Sequence, residues 1–183
     1  MKCYDTGNFF RGDGAMFGFG KQKTTHDELG ANLFDFAVDF SAQMAMRELS
    51  GPEADFAGVD KLAFIHEWMI LMAWALHQAP AECDKGRLMQ AFFKTWLSHH
   101  DAIQSKADSD NERKLLAARL TEYDAAFRPS TPDQRLLGGT IAKNILGQET
   151  LCLDAGKQFK MATHALLLIK EVREICEKYQ ITD

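Results

Sequence analysis

The chain has 183 residues, 46% of them apolar and 26% charged, with four prolines and thirteen glycines, so it is neither disordered nor proline-rich and is long enough for one globular core. A formal net charge of −5 argues against a nucleic-acid surface that tracks phosphates. No run of about eighteen apolar residues offers a membrane span, and cysteines at 3, 83, 152 and 176 form no C-x-x-C pair, so independent thiols and a cytoplasmic location are expected.

The charge is unevenly spread. Residues 1 to 25 sum to +2, whereas residues 26 to 60 carry eight acids against Arg47 alone, a net of −7. A local excess of this kind steers a basic partner.

Residues 1 to 23 alternate glycines at 7, 12, 14, 18 and 20 with Phe9, Phe10, Phe17 and Phe19. Glycine at that density disfavours regular structure, while four phenylalanines are too apolar for a free tail. A non-helical arm docked on the body or on a neighbour is expected. Either Met1 or Met16 serves as the start.

The domain proper is expected over 24 to 183. Thr25 and Glu28 have capping-box spacing and open a helix from His26 to Leu49, stopped by Gly51 and Pro52. Leu29, Leu33, Phe36, Ala37, Phe40 and Met44 share its apolar face, while Glu28, Asp35 and Asp39 point to water. From residue 60 to 78 the chain is apolar on every side apart from His66 and Glu67, the mark of a central helix buried by its neighbours. A third helix is expected over 81 to 103, with Leu88, Phe92 and Trp96 on its inner arc. The spacing of Ser109 and Glu112 predicts that a fourth begins there, with Leu116, Leu120, Tyr123 and Phe127 as its seam. Thr131 and Pro132 predict the start of a fifth, which Gly138 and Gly139 kink or interrupt. The last, over 149 to 179, repeats Met161, Ala165, Leu168, Val172, Ile175 and Tyr179 at steps of four and three. No stretch alternates as a half-buried strand does. The fold class is therefore all-α: a single-domain bundle of about six helices, mostly antiparallel, around the central apolar helix, with no sheet.

Ala15 to Gln22 approaches the phosphate-loop pattern but lacks its first glycine and its final hydroxyl. His66-Glu67 resembles the start of H-E-x-x-H, yet position 70 is Ile, so the second zinc ligand is missing. Burying His66 and Glu67 without partners costs several kcal/mol, on the order of the desolvation of a charge. They therefore need partners from another helix, such as Arg or Lys. Should Glu67 lie in a pocket, its pKa rises and it can accept a proton.

The segment Phe93 to Asp101 ends in His99-His100-Asp101 and resembles the HD phosphohydrolases, all-helical metal enzymes. The resemblance implies a metal-dependent hydrolase with His66 or His77 as first ligand, His100 and Asp101 as the doublet, and Asp154 as the last ligand. Glu67, His100 and Asp101 would then carry the catalysis. It covers only a few residues, the His-Asp pair also occurs at His26-Asp27, and the glycine that often follows the doublet is missing. No two histidines stand four apart, as two ligands on one helix turn require.

The leading expectation is therefore a non-enzymatic interaction protein, an adaptor or an inhibitor or immunity-like bundle with no cofactor. It would bind a protein partner through Glu28, Asp35 and Asp39 or associate with itself through the terminal seam. The alternatives are the metal-dependent hydrolase and a binding module for an apolar small ligand, for which eight methionines and thirteen phenylalanines provide an adaptable interior.

Overall fold

A computed structural model describes residues 21–50, 54–79, 84–101 and 106–183. The six helices are α1 (His26–Ser50), α2 (Lys61–Gln78), α3 (Lys85–Asp101), α4 (Lys106–Ala126), α5 (Arg135–Ile145) and α6 (Ala155–Glu177), flanked by the short strands β1 (Gln22–Thr24) and β2 (Tyr179–Ile181). None of the helices is long and apolar enough to cross a membrane among the described residues.

The uniform hydrophobicity of α2 puts it at the centre. Every residue from Glu67 to Leu76 is buried, and α2 packs against all five other helices. Asp60 caps its start by accepting a hydrogen bond from the Ala63 amide at 2.9 Å, and Ala79 leaves the helix in an extended conformation. Around it the other five form a ring in the order α1, α3, α4, α5, α6, each packed on the next. The ring closes at four of its five seams. Both α6 and α1 pack on α2 but hardly on one another.

Two glycines set the tightest seams. A Cβ on Gly138 would lie 1.8 Å from the carbonyl oxygen of Gln158, and one on Gly30 would lie 2.5 Å from the Ala91 Cβ. The backbones of α5 and α6, and of α1 and α3, approach because a hydrogen stands where other residues carry carbon. Gly138 and Gly139 were expected to kink or interrupt the fifth helix, yet α5 runs through both.

The expected absence of a sheet is corrected by β1 and β2, which pair in parallel, Gln22 with Tyr179 and Thr24 with Ile181. Three-residue strands are too short to show an alternation, which is why the pattern did not reveal them. Four helix starts also move: α3 begins at Lys85 rather than 81, and α6 at Ala155 rather than 149, ending at Glu177 so that Tyr179 belongs to β2. α4 begins at Lys106 rather than at Ser109, so Glu112 is not a capping residue. α5 begins at Arg135 with Gln134 before it, because the preceding turn is closed by side chains. The Gln134 amide donates to the Thr131 carbonyl at 2.8 Å, and Thr131 Oγ1 accepts from the Asp133 amide at 3.2 Å.

Candidate functional site

Glu67 and His66 obtain the partners that their burial demands, and both find them on α4. Tyr123, itself fully buried, donates its hydroxyl hydrogen to Glu67 Oε1, and Arg119 Nε stands 3.4 Å from Glu67 Oε2. His66 Nε2 and Glu112 Oε1 are 2.5 Å apart. Asn144 on α5 donates to both the Tyr123 hydroxyl, at 3.2 Å, and Glu122 Oε2, at 3.0 Å, and Lys143 reaches Glu122 Oε1 at 3.1 Å. Burial raises the Glu67 pKa further than Tyr123, Arg119 and His66 lower it. Burial pulls the His66 pKa down, but the hydrogen bond and charge of Glu112 leave it raised overall. Every carboxylate in the set is engaged by a neighbouring side chain.

Of the other ligands implied by the hydrolase resemblance, His77 and Asp154 have partners of their own. His77 stands about 16 Å from His66 along α2, at 1.5 Å per residue, and its Nε2 is 3.7 Å from Asp124. Asp154 caps α6, accepting from the Lys157 amide at 2.8 Å. The side chains of His100 and Asp101 lie outside the described residues. No group of three or more His, Cys, Asp or Glu gathers as a metal would require among the described residues. On the acidic face of α1, Asp35 and Asp39 are exposed. Glu28 serves the helix start: its carboxylate accepts from the Thr25 amide at 3.0 Å and the Thr24 hydroxyl at 3.2 Å, and those bonds hold its pKa below the usual range.

The unclosed seam of the ring is a cleft of about 320 Å³. Its α1 wall is Phe36, Phe40 and Met44, and its α6 wall is Phe159, Thr163 and Leu167. Trp68 from α2 lies beneath, making edge-on contacts with the rings of Phe40 at 5.6 Å and His164 at 5.9 Å. Phe159 is 69% exposed and Leu167 41%, large for side chains of their apolarity.

One end of the cleft is polar. Glu48 is fully buried, with Lys160 Nζ 2.6 Å from one oxygen and Arg47 Nε 3.3 Å from the other. Neither contact has the alignment of a hydrogen bond. Lys160 also meets Asp55 at 2.8 Å. His164 Nε2 lies 3.8 Å from Glu48 without a hydrogen bond. Burial, reinforced by the charges of Arg47 and Lys160, pushes the His164 pKa down to about 4, so the ring is neutral at neutral pH.

Sequence reasoning assigned Phe36, Phe40 and Met44 to the core and passed over Phe159, Lys160 and Glu48. The available signal was excess width: Leu29, Leu33 and Ala37 already make a complete inner stripe, and the phenylalanines extend it beyond what α2 covers. No protein-family model, curated protein or solved structure matches the chain.

Proposed function

We propose that the chain is a non-catalytic binding module that takes a small, uncharged apolar ligand in the open seam between α1 and α6. The observation that carries this reading is the cleft itself, apolar on both walls and, at about 320 Å³, within the range of roughly 300 to 1,000 Å³ in which proteins hold small molecules. The charges at its end favour an uncharged ligand, because Glu48 and Asp55 already engage Lys160, and Glu48 also engages Arg47. A ligand that enters is selected by shape and by the water it displaces from Phe159, Leu167 and Phe40.

The test is a titration with N-phenyl-1-naphthylamine, an uncharged probe that fluoresces on leaving water. Saturable binding is expected, and it should weaken by at least about tenfold, or 1.4 kcal/mol, in a Phe159→Glu, Leu167→Glu variant. Both positions are exposed, so this variant should keep the parent's circular dichroism. Absence of saturable binding, or equal affinity in the two proteins, refutes the reading.

A further inference from the structure

The open seam has an occupant of its own within reach. We infer that the segment Asp13–Phe17 of this same chain lies along the α1/α6 cleft and competes with ligand for it; the inference rests on the binding reading above and assigns that site its regulation.

The argument begins where the amino-terminal arm leaves the bundle. β1 pairs in parallel with β2, and the Gln22 amide donates to the carbonyl of Lys178, the residue that ends α6, at 2.9 Å. Residue 21 therefore emerges beside the carboxyl end of α6, at one mouth of the only seam that the ring of described helices leaves open. At the other mouth, Arg47 near the end of α1 and Lys160 near the start of α6 both meet Glu48, so α1 and α6 run antiparallel along the cleft.

Lengths then fix the register. At 1.5 Å per helical residue, Leu167 stands about 17 Å and Lys160 about 27 Å from Lys178 along α6. An extended segment advances about 3.3 Å per residue. Counted back from Gln22, Phe17 comes level with Leu167, and Asp13 comes level with Lys160. Met16 falls between them, opposite His164. Phe17 and Met16 thus fall between the apolar walls of the cleft. Gly14 and Gly18 bracket the apolar pair and let the backbone sit close to both walls. Phe9 and Phe10 extend past the far mouth and make no part of the fit.

The experiment uses the full chain. Replacing Phe17 by p-benzoylphenylalanine and irradiating should cross-link it to Phe36, Phe40 or Leu167. In a mixture of isotopically light and heavy chains, the cross-linked peptides should be all light or all heavy. Met16→Ser with Phe17→Ser should tighten the naphthylamine probe by about tenfold if the arm fills the cleft nine-tenths of the time, whereas Phe9→Ser with Phe10→Ser should leave its affinity as in the parent. Cross-links outside the cleft, mixed-isotope cross-links that place a neighbour's arm there, or equal probe affinity in the parent and the Met16→Ser, Phe17→Ser variant overturn the inference. Probe binding that ignores the arm sinks the regulation and leaves the binding module standing. Cross-links in the cleft with no probe binding in any variant sink the small-ligand reading alone.

Discussion

Tyr123 of α4 and Glu67 of α2 are joined hydroxyl to carboxylate inside the bundle, with Arg119 on the second carboxylate oxygen and Asn144 on the phenol. Removing the hydroxyl strands a buried carboxylate oxygen. Tyr123→Phe should therefore cost about 2 kcal/mol of stability, the usual penalty for a buried polar group that loses its partner. In a Glu67→Leu background the same substitution should cost much less, because there is no carboxylate left to strand. A double-mutant cycle from urea unfolding reads this difference; equal costs in both backgrounds would show that the pair is not coupled.

Gly138 is the point at which α5 and α6 touch backbone to backbone. Alanine there would gain about 1 kcal/mol in helix propensity. The added methyl would sit 1.8 Å from the Gln158 carbonyl oxygen, which no rotamer change relieves, so the helices must separate. Overpacking costs typically about 1 to 3 kcal/mol, and more against backbone, so Gly138→Ala should lower stability despite its better propensity. Gly86→Ala, where the nearest atom to a new Cβ is the Asp84 carboxylate at 3.3 Å, should be neutral or stabilising by a few tenths of a kcal/mol, roughly the propensity difference near a helix end. Thermal unfolding of the two variants distinguishes the positions.

His164 gives stability a dependence on mild acid. Its imidazole titrates at about 4 in the folded chain because burial, then Arg47 and Lys160, oppose its charging. In the unfolded chain it titrates near 6.5. Between those values the unfolded state holds a proton that the folded state refuses, so stability falls as pH drops through that window, by at most about 3 kcal/mol. His66 works in the opposite sense. Glu112 raises its folded pKa, so its contribution is complete below the unfolded value and fades as pH rises through the folded one. Melting temperatures from pH 7 to 5 should fall in the parent and fall less in His164→Leu. Parallel slopes would mean that His164 is not the group responsible.

The six-helix bundle was legible because burial imposes its period on each element in isolation. The fully apolar circumference of α2 declared the centre, and the seam from Met161 to Ile175 declared the inner face of α6, all of it buried. The need of His66 and Glu67 for partners was equally clear, since a charge inside an apolar helix requires one. The identity of those partners was not. Glu112 looked like half of a capping box, and only the placement of α4 against α2 turns it toward His66. The cleft was hidden for a related reason: Phe36 and Phe40 read as core on α1 alone, and whether α6 covers them depends on how five helices divide the circumference of a sixth.

The ribbon of β1 and β2 joins positions 157 residues apart, Gln22 to Tyr179, through only a few amide bonds. Closing so long a loop is entropically costly, and so short a ladder gives little in return until the helices between its ends have docked. It should be the last element to assemble and the first to fray. Hydrogen exchange at the Gln22 and Thr182 amides, whose acceptors are the Lys178 and Thr24 carbonyls, should outpace that of the α2 amides by orders of magnitude. Exchange as slow as in α2 would contradict this order. Whatever enters the neighbouring channel would then feel a clasp that opens without the barrel of helices coming apart.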